Sequence, residues 1–210
     1  ALVAAGALSF ADALRVVRER GVAMQEAVAP GGGAMAAVLG LDLDVVQQVC
    51  AEAAQGQVVS PANLNGGGQI VIAGHRDAVA RATALAKKQG AKRAIPLNVS
   101  APFHCALMAP AAARLQAVLA DITVAPLRFP VISNVHATAN SDPAQVPALL
   151  VQQVTSPVRW HECTETLAAL GCQEVIEVGP GRVLSGLVKR IAPSLRTHTC
   201  LLYTSDAADE

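Results

Sequence analysis

Two side chains carry the first legible chemistry in this sequence. His104 sits in Ser100-Ala-Pro-Phe-His-Cys-Ala-Leu-Met108, after an apolar run and ahead of a helical pattern, where α/β proteins place site residues. Pro102 stiffens the approach, and a helix amino terminus disfavours imidazolium, so a histidine there stays neutral and usable as a general base. A lone histidine also reads as a satisfied structural group. Arg20 falls on the flank of a helical stripe near Ala13, Val16 and Met24, away from Arg15, Arg18 and Glu19, because successive helical residues rotate by about 100°. A guanidinium there needs an anion. It could fork onto a substrate carboxylate, or it could snorkel or close an internal ion pair. A base also needs a nucleophile, and no Gly-x-Ser-x-Gly elbow occurs in the 210 residues.

Weaker signals surround these two. Asn63-Leu-Asn65 alternates so that both amides face one side of a strand end, where they can donate to a carbonyl or phosphate, or cap a turn. Gly179-Pro-Gly181 superficially resembles a dinucleotide-binding turn, but the third glycine is misplaced and Pro180 lacks an amide, so a tight strand-to-helix turn is expected. His75, His136, His161 and His198 have less telling surroundings, and His161-Glu-Cys163 lacks metal-ligand spacing. Neither a metal nor a cofactor is expected.

The elements that must hold these residues follow from periodicity. Ser9 caps a helix to about Val28 whose stripe is Phe10, Leu14, Val17, Gly21, Met24 and Val28. The expected order is then strand 34–39, helix 42–54, strands 58–64 and 69–73, helix 76–89 and strand 92–99. That is β-α-β-β-α-β, the split arrangement of a ferredoxin-like unit. Beyond Ser100 come helix 106–119, strand 131–135, helices 144–154 and 160–170, strand 174–178 and helix 182–191, a rhythm that suggests a parallel α/β sheet.

Composition narrows the class. Hydrophobic residues are 52% and aromatics 2%, so apolar volume comes from aliphatic residues suited to helices on strands. Sixteen basic and sixteen acidic residues balance, which gives no bulk field for nucleic acid. No apolar run suits a bilayer span. Five cysteines without a C-x-x-C pair are expected as reduced, mostly buried thiols in a cytoplasm. Ala1–Leu8 reads like the back half of a helix, so an upstream part is expected. Residues 200–210 read as a non-native, adaptor-derived tail. Apolar faces of Ala1–Leu8 and Val131–Val135 are expected to be exposed.

Taken together, the segments are similar to bacterial malonyl-CoA:acyl carrier protein transacylases of fatty-acid synthesis. The matching stretches are Ser9–Leu14 with Arg20-Gly21, Met24–Ala27, Gly33–Ala37, Gln57–Pro61, Val71–Gly74, Ser100–Met108, Pro157–Trp160 and Glu177–Gly181. The resemblance implies a large hydrolase-like α/β subdomain over 1–30 and 98–199, incomplete at its amino end, with a ferredoxin-like subdomain inserted over 31–97. It implies that His104 activates a serine lying upstream, that the backbone carbonyl of Gln153 orients His104, and that Arg20 pairs with the malonyl carboxylate. Asn63 and Asn65 then line the cleft. Phe103 resembles the malonyl-selective type. The reaction implied is malonyl transfer from malonyl-CoA through a serine ester to the phosphopantetheine thiol of acyl carrier protein. These residues alone, lacking the serine, are not expected to catalyse it. Lys92-Arg93 and Lys189-Arg190 could meet the acidic carrier. Gly66-Gly67 departs from the family's frequent Ser-Pro, which is expected to loosen that turn. Two alternatives stay open: a malonyl-selective domain of a polyketide synthase, or a non-catalytic module binding acyl-CoA or carrier protein.

Overall fold

Ser9 starts the first helix as its residue type predicts: its Oγ accepts the Asp12 amide at 3.0 Å and its hydroxyl donates to the Asp12 carboxylate at 2.7 Å. This is a computed structural model, and it describes residues 1–200. Helix α1 (Phe10–Glu26) buries Val16, Ala23 and Met24 and packs Ala13 and Ala27 beside them. The amino-terminal half of the expected stripe is outside, with Phe10, Leu14 and Val17 68%, 56% and 66% exposed, whereas Met24 is buried and Val28 packs against the core. The helix is apolar on two sides, and periodicity alone does not say which side the core takes. Helix α4 (Ala109–Ala120) takes the Val16–Met24 side, with Leu115 and Leu119 against it. Arg20 therefore stands within the buried face rather than on its flank.

The next segment forms β1 (Gly33–Leu39), α2 (Leu43–Ala54), β2 (Val59–Leu64), β3 (Gln69–His75), α3 (Arg76–Lys88) and β4 (Arg93–Pro96). Its sheet runs β2-β3-β1-β4, with every pair antiparallel. Alternation divides the strands. Ala36, Val38, Ile70 and Ile72 meet the helix residues Val46, Val49, Ala53, Ala78, Ala82 and Ala86, whose small side chains let α2 and α3 approach the sheet closely. The opposite face carries Met35, Ala37, Val71 and Ala73 and receives Phe103, Cys105 and Leu107 instead of a helix. Register places Asn63 opposite Val71, and Ile95 opposite Ala37, on that helix-free face.

The remaining elements are a 3-10 turn (Ala106–Met108) leading into α4, then α5 (Val146–Thr155), α6 (Trp160–Ala169), β7 (Glu174–Val178), α7 (Val183–Ile191) and β8 (Arg196–Cys200). Strands β7 and β8 pair in parallel. The expected strand 131–135 is only β5 (Val131–Ile132), paired antiparallel with β6 (Ala139–Asn140). It ends early because Ala137 donates to the Ser133 carbonyl at 2.8 Å and turns the chain back. Strand β8 has no apolar run and escapes pattern reading. Its last residue, Cys200, pairs with Val178, so the expected tail contributes one residue to the sheet, and 201–210 lie outside the described residues. Ala5, Ala7 and Leu8 are buried, contrary to the exposure expected of that segment. Exposed apolar positions include Phe10, Leu14 and Val17 on α1, Phe129, Leu170, and Ile176, Val178 and Val183.

At Gly179-Pro-Gly181 the Glu177 carboxylate accepts the amides of Leu184 (3.1 Å) and Ser185 (2.8 Å) and the Ser185 hydroxyl (2.7 Å). A side chain of the chain itself thus occupies the α7 amino terminus that a bound phosphate would need, and the turn is structural. No described helix is long and apolar enough to cross a membrane. Cys50, Cys105 and Cys163 are buried and Cys172 and Cys200 exposed. Burial pushes the Cys50 thiol up to about 12 and raises Cys105 and Cys163. An alkylating reagent at pH 8 should therefore modify Cys172 and Cys200 and spare the other three until the protein is unfolded. Mass mapping of the labelled peptides checks this.

Candidate active site

His104 is delivered by a constrained loop. After β4, Ala101 and Pro102 are buried, and the Pro102 ring lies against Gly33 at the start of β1. A Cβ added at Gly33 would sit 2.4 Å from both Pro102 Cδ and Cγ. Gly33→Ala should cost about 1–3 kcal/mol by overpacking and should move the His104 imidazole resonances, since the loop must shift to admit the methyl. Denaturant unfolding and side-chain NMR measure the two effects separately.

The backbone at His104 is left-handed (φ +61), which disfavours an L-residue by about 1–2 kcal/mol and persists because its surroundings over-determine it. Phe103 packs against both the sheet's open face and the α1–α4–α5 core. Cys105 Sγ donates to the Pro102 carbonyl at 3.1 Å. The ring itself is pinned by Nδ1, 2.9 Å from the Gln153 carbonyl oxygen. A carbonyl only accepts, so Nδ1 carries the proton and Nε2 presents a lone pair. Burial lowers the imidazole pKa from its usual value, and the Arg20 charge lowers it further, while the carbonyls of Gln153 and Ser156 oppose both. The expected helix-terminus effect is not the origin: the ring precedes a three-residue 3-10 turn, and burial is the largest cause.

Arg20 is half-buried, and burial lowers its pKa with no compensating carboxylate among the described residues. Its neighbours on α1 are differently disposed, since Glu19 and Glu26 are both held by Arg114, at 3.0 and 2.7 Å. The guanidinium is thus left free while its charge reaches His104. One contact between the same two segments was not foreseen: Gln25 Nε2 donates to Ser100 Oγ at 2.9 Å, tying α1 to the loop carrying His104. The Met24–Ala27 stretch contained that residue, but no spacing rule distinguishes it.

Residues 153–159 connect His104 to the sheet. The Gln153 carbonyl meets His104. Five residues on, Val158 donates to the Ala62 carbonyl (2.8 Å) and accepts from the Leu64 amide (2.8 Å), forming a parallel bridge opposite Asn63. The structure thus places Asn63 beside the segment that runs from the carbonyl contacting His104. Asn65 lies at the β2–β3 turn, where its amide donates to Gln69 at 3.0 Å. Neither asparagine side chain is hydrogen-bonded to His104 or Arg20 among the described residues. Of the glycines that follow, Gly66 is packed, whereas Gly67 is exposed with open space where a Cβ would sit. Gly66 adopts φ +75, and a Cβ there would meet His161 Nδ1 at 2.6 Å and Ile191 at 2.9 Å, so two helices of the other layer require glycine. Lys92, Arg93, Lys189 and Arg190 are exposed, and Arg190 reaches Gln69 at 3.3 Å.

A guanidinium on a buried helix face, without a carboxylate among the described residues and with its charge felt by an imidazole whose proton is fixed on Nδ1, suits acyl transfer from an anionic donor. Residues 1–200 match the family model described as acyl transferase domain. The chain belongs to that family. Among its acyl transferase relatives, the malonyl CoA-acyl carrier protein transacylase of Salmonella typhimurium is 52% identical over 195 residues, which cover 93% of this chain and 63% of that protein. The chain therefore spans about 63% of the length of this relative. Among solved structures, an acyl carrier protein S-malonyltransferase from Vibrio cholerae superposes with a TM-score of 0.92 at 50% identity, covering 95% of this chain and 65% of that one. A malonyl-transacylase in complex with its type II polyketide acyl carrier protein gives 0.92 at 48%, over 95% and 65%. The mixed α/β fold of this chain matches theirs.

Proposed function

We propose that these residues supply the general base, the carboxylate fork and the carrier-facing surface of a malonyl-CoA:acyl carrier protein transacylase. The observation that carries this reading is the Arg20 guanidinium, unpaired among the described residues, whose charge reaches a His104 imidazole with its own proton held by Gln153. In this reading His104 Nε2 takes the proton of a serine hydroxyl contributed by an elbow that these 210 residues do not contain. The alkoxide attacks the malonyl thioester, and the proton on Nε2 passes to the departing CoA sulfur; the neutral ring next takes the proton of the carrier's phosphopantetheine thiol, which attacks the ester, and returns it to the displaced serine oxygen. Arg20 holds the free carboxylate. Asn63 and Asn65 line the sheet side of the cleft, and Phe103 forms part of its wall. The name of the Salmonella relative and the carrier-bound relative favour malonyl-CoA and acyl carrier protein as partners, with Lys92, Arg93, Lys189 and Arg190 as candidate contacts for the acidic carrier.

The division proposed is a large, hydrolase-like subdomain of residues 1–30 and 98–199 and a ferredoxin-like subdomain of 31–97, in a cytoplasmic enzyme. The β2-β3-β1-β4 order supports the second part. The carrier-bound relative serves polyketide synthesis, which keeps a polyketide role as the second reading. The test is covalent labelling. Joined to a segment bearing a Gly-x-Ser-x-Gly elbow, the protein should acquire a hydroxylamine-labile malonyl adduct from malonyl-CoA and pass it to holo-acyl carrier protein. Binding of malonyl-CoA without any adduct would leave only a non-catalytic module.

A further inference from the structure

The mechanism above uses the main chain of Gln153 and leaves its side chain unexplained. That side chain folds back over its own turn: Nε2 donates to the Ser156 carbonyl at 3.1 Å in a half-buried setting. The amide orientation follows from its partner. Facing a carbonyl oxygen, only the NH₂ end can bond, and Oε1 is accordingly left buried without a partner among the described residues. A buried acceptor left unsatisfied is costly, so the contact at the other end of the amide must matter to the turn.

The turn it closes is the one that positions the base. Residue 153 ends its contribution to α5 by offering its carbonyl to His104 at 2.9 Å. Ser156 donates its amide to the Gln152 carbonyl at 3.0 Å, and Pro157 then leads to Val158, bound on both sides by β2. Without the Gln153 side chain, the turn keeps the Ser156 amide bond and a long bond from the Thr155 hydroxyl, both to the Gln152 carbonyl, and loses its tie to the Ser156 carbonyl. We propose that the Gln153 carboxamide is a positioning residue: its bond to the Ser156 carbonyl locks the 153–156 turn, so that the Gln153 carbonyl stays aimed at His104 Nδ1 and the proton stays on that nitrogen. Both carbonyls bear on the imidazole in the sense that raises its pKa, as two acceptors drawn towards one ring should. The inference rests on His104 being the base, but its readout is the state of the ring rather than turnover.

The test uses the chain labelled with ¹⁵N and ¹³C. In the unaltered protein, Gln153 Nε2 should show a through-hydrogen-bond coupling to the Ser156 carbonyl carbon, and its amide protons should exchange more slowly than those of the exposed Gln152. Gln153→Met keeps length without the donor, and Gln153→Glu replaces the donor by an acceptor. Each should raise the ratio of the Nε2–H to the Nδ1–H tautomer of His104 by roughly three- to tenfold, the factor that one neutral hydrogen bond is worth, and should lower the imidazole pKa further. An unchanged tautomer ratio in a folded variant, or no coupling and rapid amide exchange in the unaltered chain, overturns the proposal. The coupling and exchange measurements decide it even if both variants fail to fold. A normal transfer rate in a His104→Ala acyl transferase would instead remove the base assignment while leaving the tautomer result standing.

Discussion

Arg20→Ala should abolish the preference for malonyl over acetyl groups in an acyl transferase that carries these residues together with a serine elbow. The expected loss is about 2–4 kcal/mol in malonyl transfer, roughly 30- to 1000-fold, because a carboxylate is left without its charged partner in a partly desolvated site. Acetyl transfer has no carboxylate to lose and should hold or rise. The size of the effect comes from where the guanidinium stands. It sits between Val16 and Ala23 on the buried side of α1, and its burial is uncompensated among the described residues, so ligand binding meets a fork that is not already engaged. Arg20→Lys should recover little, since a point charge does not reproduce bidentate geometry. Competition assays with the two acyl-CoA donors measure this, and an unaltered malonyl preference in Arg20→Ala would exclude the role.

Replacing His104 by alanine should reduce acyl transfer by roughly 10²- to 10⁴-fold, the range for a positioned proton acceptor. The pH dependence has a definite sign. In the proposed role the neutral ring is the active form, and burial followed by the Arg20 charge holds its pKa below the usual histidine value. Activity should therefore persist through neutral pH and fall only as the pH drops below the ordinary histidine range. Arg20→Ala removes one of the lowering causes, so the His104 pKa should rise and the acid limb move to higher pH. An NMR titration of the imidazole in the chain itself reads that shift without any turnover. The same displacement couples to folding. Because the folded ring binds its proton more weakly than the unfolded one, this group's contribution to stability declines as pH falls through the unfolded value, and Arg20→Ala should soften that decline.

Much of the secondary structure was legible because it is local. Ser9 as a cap, the α2 and α3 periodicities and the alternation in β1 and β3 each depend on residues within a few positions of one another. Several of the misreadings involve a choice between partners. For α1, two apolar faces compete, and only the docking of α4 decides that Val16 and Met24 go in while Phe10 and Leu14 stay out. For β8, pairing with β7 makes a strand from Arg-Thr-His-Thr-Cys, a stretch without an apolar signature. The Gly66 departure looked like a looser turn from sequence. It is a tight one, because His161 and Ile191, about 100 residues away or more, fill the space a side chain would take.

The site divides in the same way. Residue types and their order were enough to single out His104 and Arg20 as groups able to do chemistry, and to raise a resemblance that named Gln153, Asn63 and Asn65. What they could not supply was orientation. Whether Arg20 turns to an internal acid or stays free, and which imidazole nitrogen holds the proton, depend on distances between atoms far apart in the chain. Arg114 draws Glu19 and Glu26 to itself from α4, and the Gln153 carbonyl approaches His104 across 49 positions of sequence. Local propensity and the hydrophobic pattern act over a few residues and therefore write the elements. Ion pairing and hydrogen bonding at the site act between elements, so only their packing decides which charges are cancelled and which remain to meet a substrate.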